Sequence, residues 1–140
     1  PSCLGLKQAC LPCFRCADFN DSVLMVFLRD RELMLGLVRK DGLALRHAAD
    51  ALCQDREVVM EAVQQDGRAL QYADASLRRD RQIVLEAVRQ TGWALGYADR
   101  KLKHDREIVL EAMREDGFAL QYAGKALRQD RSIVREVVRQ

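Results

Sequence analysis

A 25-residue repeat constrains the fold of this chain more than any other feature of its sequence. The phrase DGLALRHA at residues 41–48 returns as DGRALQYA at 66–73, as TGWALGYA at 91–98 and as DGFALQYA at 116–123. An Asp-Arg pair keeps the same spacing, at Asp30-Arg31, Asp55-Arg56, Asp80-Arg81, Asp105-Arg106 and Asp130-Arg131. Repeats of this length are typical of arrays in which each unit packs only on its neighbours. Predicting the structure of one 25-residue unit therefore predicts the structure of the whole array.

The first half of each unit predicts a short amphipathic α-helix. In the fourth copy, Asp105 is a good N-cap, and Glu107 places negative charge where the helix dipole favours it. Apolar residues recur at helical spacing and form one face: Ile108, Val109, Ala112 and Met113. A glycine follows the last apolar residue, so we expect a left-handed cap there, at Gly42, Gly67, Gly92 and Gly117.

The second half of the unit predicts another short helix, over residues 118–127 in the fourth copy. Its inward face would consist of Ala119, Leu120, Ala123 and Leu127. Helices of about ten residues are marginal alone in water and need neighbours. Stacked units can cover one another's apolar faces. The sequence therefore predicts an all-α, short helical-hairpin solenoid with 25-residue repeats.

Two segments are predicted: a cysteine-rich N-terminal arm at residues 1–20, and a helical repeat domain of about four and a half units at 21–140. The stretch DSVLMVFL at 21–28 is apolar nearly all round, so we expect the arm or another protein to cover it. Gly36 replaces a glutamate of later units, which favours a close approach of the arm. Arg135 replaces a Leu or Met, as expected of a charged end of the stack.

The stretch DREIVLEAMREDGFALQYAGKALRQDRSIV at residues 105–134 resembles a family described as domain of unknown function 4116. Members of that family carry tandem units close to DREVVLAAV-Q-G-AL-YA--LR-D, and the resemblance covers residues 30–140. It implies helical repeats and no activity, and it supplies no catalytic residue. The family is common in algae and dinoflagellates, so the resemblance suggests an organelle, a chloroplast or mitochondrion, with the cytoplasm as the alternative.

Charge and histidine content argue against several functions. The net charge is only +2, which gives little bulk attraction for nucleic acid or an acidic membrane. The longest wholly apolar run has six residues, whereas a bilayer span needs about 20. His47 stands where later copies have tyrosine, His104 stands at a variable position, and neither has a sequence partner for nucleophilic or metal chemistry. We expect no enzyme and no cofactor.

Four of the five cysteines lie in the arm, at Cys3, Cys10, Cys13 and Cys16. They are the candidates for a zinc or iron–sulfur site, but the run lacks two separated C-x2-C pairs and the cysteine-proline ending of ferredoxin-type runs. Three other states compete: S-acylation to a membrane, disulfides in an oxidising compartment, and inert thiols in a buried or partner-bound arm. We predict no metal site. Peripheral membrane association, through the arm or through a partner complex, stays open.

An arginine follows each capping aspartate, at Arg31, Arg56, Arg81, Arg106 and Arg131. A positive charge in a first turn opposes the helix dipole, so each arginine should gain a compensating contact. We expect a salt bridge or stacking contact to the neighbouring unit, through the tyrosine row or through Asp41, Asp66 and Asp116. The rival interpretation is a phosphate-binding ladder for RNA, but the expected excess of basic residues is missing.

One position varies between copies while its neighbours hold: Leu43, Arg68, Trp93 and Phe118 follow the repeated glycine. Aromatic residues are enriched at protein interfaces, so this variable row is a candidate binding stripe. The alternative is that these side chains fill uneven gaps between helices. The predicted partner-binding residues are Val23, Leu24, Val26, Phe27, Leu43, Trp93 and Phe118.

The repeat architecture and the absence of a catalytic pattern together predict a non-enzymatic protein–protein interaction module. It would be an accessory or scaffold subunit of a larger assembly, and the distribution of the resembled family suggests a photosynthetic or respiratory membrane complex. Two alternatives are an RNA-binding helical repeat protein and a metal-binding cysteine arm on a passive scaffold. Nucleic acid is the less favoured partner because the charges balance.

Overall fold

Five long α-helices, one in each unit, form the framework of the fold within residues 29–139. The computed structural model describes residues 29–139. The helices are α1 at Arg31–Val38, α2 at Arg56–Gln65, α3 at Arg81–Gln90, α4 at Arg106–Glu115 and α5 at Arg131–Val138. Each begins after an extended aspartate whose carboxylate accepts a hydrogen bond from an amide of the first turn. The predicted N-caps are therefore confirmed.

The second half of each unit is not the single helix that the sequence predicts over 118–127. It consists of a six-residue 3-10 helix, a break and one short helical turn. The 3-10 helices span Gly42–His47, Gly67–Tyr72, Gly92–Tyr97 and Gly117–Tyr122. The turns span Asp50–Cys53, Leu77–Arg79, Leu102–His104 and Lys125–Arg128. The 3-10 helices are longer than the three or four residues that are common for this conformation, whose hydrogen-bond geometry is poorer than that of an α-helix.

Hydrogen bonds between units explain why the predicted second helix breaks. Three backbone amides donate to carbonyl oxygens of the preceding unit over 2.7–3.0 Å: Asp74 to Cys53, Asp99 to Arg78 and Gly124 to Lys103. An amide that bonds to a neighbouring unit cannot also continue its own helix. In two units the aspartate carboxylate then starts the new turn, since it accepts from the amide of Ser76 or Lys101. Contacts between units, not local propensity, set this geometry.

The repeated glycine is not the left-handed cap that the sequence predicts for Gly42, Gly67, Gly92 and Gly117. No residue from 29 to 139 has a positive φ. The glycine is instead the first residue of the 3-10 helix, where two units touch. A Cβ atom built on Gly67 would overlap the carbonyl oxygen of Ala87 in the next unit, and Gly42 and Gly92 are crowded in the same way. Close backbone approach is the reason for glycine at these three positions.

A continuous apolar core runs through the stacked units, and the all-α repeat fold is confirmed. The predicted α4 face is buried, namely Ile108, Val109, Ala112 and Met113, as are its counterparts in α2 and α3. In the second half of the unit Ala119 and Ala123 are buried, whereas Leu120 and Leu127 are half-buried against the core. Burying an aliphatic side chain contributes about 1.5–3 kcal/mol, so this core is the main source of stability. The described chain contains no strand.

Predictions about the two ends of the chain have mixed outcomes. A Cβ added to Gly36 would meet nothing within 4 Å, and the arm expected to approach it lies outside the described residues. Arg135 is exposed, as expected, but Val134 and Val138 of α5 are exposed as well, so this surface is not uniformly polar. Within 29–139, no helix combines the length and hydropathy that crossing a membrane requires.

Candidate functional site

The repeated arginines form a ladder of ion pairs from one unit to the next. Four of them contact the N-cap aspartate one unit later: Arg31 with Asp55 at 2.6 Å, Arg56 with Asp80 at 3.0 Å, Arg81 with Asp105 at 3.2 Å and Arg106 with Asp130 at 3.5 Å. The predicted contact with a neighbouring unit is therefore confirmed. The predicted acceptors are wrong, because Asp41, Asp66 and Asp116 cap the 3-10 helices instead.

The ladder also holds its carboxylates in the charged form. The hydrogen bond from the Arg31 side chain, supported by backbone amides of the first turn, outweighs burial and lowers the pKa of Asp55. Burial alone would raise the pKa of Asp80, but the Arg56 hydrogen bond and backbone amides outweigh it and lower that pKa. These arginines are about half exposed, and exposed ion pairs contribute little singly. Their regular spacing gives the ladder a structural role in aligning units.

The variable row lies on the 3-10 helices, at the second residue of each. Leu43 is half-buried, which fits a gap-filling role. Arg68 is exposed and its guanidinium pairs with Asp66. Trp93 is 38% exposed and Phe118 is 82% exposed, so the two aromatic members are not enclosed by the core.

Four aromatic side chains lie on the 3-10 helices of the third and fourth units, and these two helices contact each other. The rings of Trp93 and Tyr97 lie 6.3 Å apart between centroids and are inclined by 54°. The ring of Tyr122 lies against the backbone of Gly96, since a Cβ built there would be 3.1 Å from a ring carbon. We call Trp93, Tyr97, Phe118 and Tyr122 the aromatic patch. The equivalent positions of the first unit hold Leu43 and His47.

Basic side chains border the aromatic patch. The turn segments 98–104 and 123–129 carry five of them, here called the basic edge, namely Arg100, Lys101, Lys103, Lys125 and Arg128. Their only acidic residue is Asp99. The Lys103 ammonium donates to the carbonyl oxygen of Gly96 at 2.6 Å, so the edge meets the patch at Gly96. Burial lowers the pKa of Lys103; the nearby Asp99 opposes this effect, and Arg78 acts in the same direction as burial.

Sequence reasoning missed the basic edge, although the repeat contained a signal for it. The equivalent turn of the first unit, AADALCQ at 48–54, has no basic residue, whereas ADRKLKH at 98–104 has three. The overall charge of +2 hides this difference, because the acidic residues lie on other segments. Comparing charge copy by copy, rather than over the whole chain, would have revealed it.

The remaining candidate residues form no metal-binding cluster in the described part of the chain. No cluster of three or more His, Cys, Asp or Glu suits a metal ion between residues 29 and 139. The Cys53 thiol is half-buried, and burial raises its pKa. Outside the described residues lie the arm cysteines and the predicted apolar docking residues, so their roles stay predictions: Cys3, Cys10, Cys13, Cys16, Val23, Leu24, Val26 and Phe27.

The repeat pattern matches a known family model along most of the chain. The model described as Domain of unknown function (DUF4116) matches residues 30–78, 55–103, 80–128 and 105–140. These matches overlap in steps of one 25-residue unit. Comparison with curated proteins and with solved structures gives no match.

Proposed function

The chain belongs to the family described as Domain of unknown function (DUF4116), and from that premise we propose that it is a protein–protein interaction module rather than an enzyme. It serves as an accessory or scaffold subunit of a larger assembly. The occurrence of the resembled family in algae and dinoflagellates favours a membrane complex of an organelle. The stack of units provides an extended surface on which a partner can dock.

The exposure of Trp93 is the observation that carries this proposal. Phe118 belongs to the last unit that has a 3-10 helix among the described residues, so its exposure could reflect the end of the stack. Trp93 lies one unit earlier, has α4 and the next 3-10 helix beside it, and is still 38% exposed. Exposed tryptophans are costly to leave in water and are enriched at binding hot spots.

RNA binding receives less support than protein binding. A phosphate-binding ladder would need arginines that are available to a ligand. The guanidinium groups of Arg31, Arg56, Arg81 and Arg106 instead contact acidic side chains of the next unit. Stacked bases would also need open ring faces, and Tyr122 has one side against Gly96.

Site-directed photo-crosslinking tests the proposal. Purified full chain carries a photoreactive phenylalanine analogue at position 93 or 118, and it is irradiated in an extract of its source cells. The matched control carries the analogue at Gln64, an exposed residue of α2 outside the aromatic patch.

A discrete protein adduct from positions 93 and 118, absent from position 64, supports the proposal. Equal labelling from all three positions, or no adduct from any of them, overturns it. Digestion of the adduct with ribonuclease and with protease shows whether the captured partner is RNA or protein.

A further inference from the structure

We infer that the aromatic patch and the basic edge together bind an acidic protein segment that also carries apolar residues. This inference rests on the proposed function and specifies the chemistry of the partner. The aromatic patch takes the apolar side chains, and the basic edge takes the carboxylates. The patch alone would accept any apolar partner, so the edge is what selects an acidic one.

Only the third and fourth units combine an aromatic residue at the variable position with a basic turn. In the first unit the variable position is Leu43, and the following turn carries one acidic and no basic residue. In the third unit the variable position is Trp93, and the turn carries three basic residues. In the fourth unit Phe118 is followed by a turn with two basic residues and no acidic one. The second unit also has two basic residues in its turn, Arg78 and Arg79, but its variable position is Arg68. Because stacking needs neither feature, their combination in two adjacent units indicates one surface with two kinds of contact.

Contacts join the two features into one continuous surface. Gly96 is the meeting point, because Lys103 donates to its carbonyl oxygen and the Tyr122 ring lies against its Cα. Arg78 extends the positive charge toward the second unit, and its electrostatic influence reaches Lys103. Its Nε atom is buried and has no acceptor among the described residues. Asp74 lies near enough to interact electrostatically with this guanidinium, but within residues 29–139 Arg78 forms no direct ion pair like those of the ladder.

The exposed charges of the edge are also available to a partner. Arg100, Lys101 and Lys125 are exposed, and none of them forms an ion pair within residues 29–139. A carboxylate brought to this edge would meet several cations at once, with Asp99 the one opposing charge, and Asp99 is already paired with Arg79 at 3.4 Å. Complementary charge of this kind raises the association rate and sets the orientation of a partner.

A peptide titration uses the position of Trp93 as its reporter. Trp93 is the only tryptophan of the chain, so intrinsic fluorescence reports on the patch itself. The probe is a synthetic peptide of about twelve residues in which glutamate alternates with leucine and phenylalanine, without tryptophan or tyrosine. The control peptide has glutamine at every glutamate position, and an oligouridylate of equal charge represents nucleic acid. We expect the acidic peptide to shift Trp93 emission and to bind at least tenfold more tightly than its glutamine control, with affinity falling as salt rises.

Substitutions that the fold should tolerate can be chosen from residues that other units carry at equivalent positions. Arg100→Ala, Lys101→Ala and Lys125→Ala remove three charges from the edge. Other units have alanine at these places: Ala75 is equivalent to Arg100 and Lys125, and Ala51 and Ala126 are equivalent to Lys101. The matched control removes three charges at the C-terminal ends of α1, α3 and α4: Arg39→Gln, Arg89→Gln and Arg114→Gln, where the second unit has Gln64. We expect the edge variant to bind the acidic peptide roughly tenfold more weakly, and the control variant to bind it as the parent chain does.

The inference is overturned if the acidic peptide does not bind or binds no better than its glutamine control. It is also overturned if the edge variant loses no more affinity than the control variant, or if oligouridylate shifts Trp93 emission at lower concentration than the acidic peptide. The proposed function fails separately, in the crosslinking experiment. Adducts from positions 93 and 118 that persist in the edge variant and in high salt would keep the protein-binding proposal and overturn the acidic partner.

Discussion

Glycine at the start of each 3-10 helix determines how closely two units approach. The sequence reveals these glycines through their spacing, but it cannot tell a left-handed cap from a close contact, since both require glycine. The structure decides the matter, because the backbone of Gly67 faces the carbonyl of Ala87 across the unit boundary. Gly117 has the same place in its unit, yet nothing lies within 4 Å of an added Cβ. Gly117 is therefore a control for Gly67 within the same chain, because it has the same place in its unit but lacks the close contact.

Gly67→Ala should destabilise the protein far more than Gly117→Ala. The added methyl group at position 67 has to push two backbones apart, which costs about 1–3 kcal/mol. At position 117 the methyl group meets open space and φ is not positive, so stability should stay equal or rise by about 0.4–1 kcal/mol. Urea unfolding followed by circular dichroism measures both. Equal losses from the two variants would contradict the close-contact explanation.

Removing the Arg31 side chain should raise the pKa of Asp55. In the folded protein the pKa of Asp55 is lower than in the unfolded chain, where it is near 3.9. The stabilisation that Asp55 gives is therefore fully present above the unfolded pKa and is lost as pH falls through the folded pKa. Arg31→Gln should therefore move the Asp55 titration upward and weaken the pH dependence of stability below pH ~4. Carboxyl titration by NMR gives the result. Asp66, which pairs with Arg68, should titrate unchanged and serves as the internal control.

The elements of a unit differ in how far sequence alone predicts them. The long helices follow from the capping aspartate and apolar spacing, both of which are local signals, and they form as predicted. The second half carries equally good helix formers, yet it divides into a 3-10 helix and a turn. The cause is an amide such as Asp99 N, which bonds to Arg78 O of the preceding unit. A bond between units has no local sequence signature, so this break was beyond prediction.

The arginine ladder should contribute to stability wherever an arginine contacts the next unit. Arg81→Ala and Arg106→Ala each remove a contact between adjacent units, and the double variant should lower the thermal midpoint by roughly 2–5 °C. High salt should reduce the difference, because the pairs are partly exposed. Arg131→Ala is the matched control, since Arg131 forms no ion pair with a described residue. A double variant as stable as the parent chain would refute a structural ladder.

For the whole molecule, the same repeat that fixes the fold also locates the candidate site. Positions that build the stack recur in every unit, whereas Trp93 and Phe118 stand out because they vary. Comparing copies was enough to nominate these two residues. It did not predict the basic edge, because net charge was judged over the whole chain, and it did not predict the contact at Gly96, which depends on folding. The candidate site is therefore a departure from the repeat, concentrated in the third and fourth units.

The native size of the protein in a gentle detergent extract of its source cells tests the central claim most directly. Gradient fractions analysed by mass spectrometry would show where the chain migrates and which proteins accompany it. We predict migration with a larger assembly, at the same position as a constant set of other proteins. Migration near its own 16.0 kDa, with no accompanying protein, would contradict a role as a docking subunit.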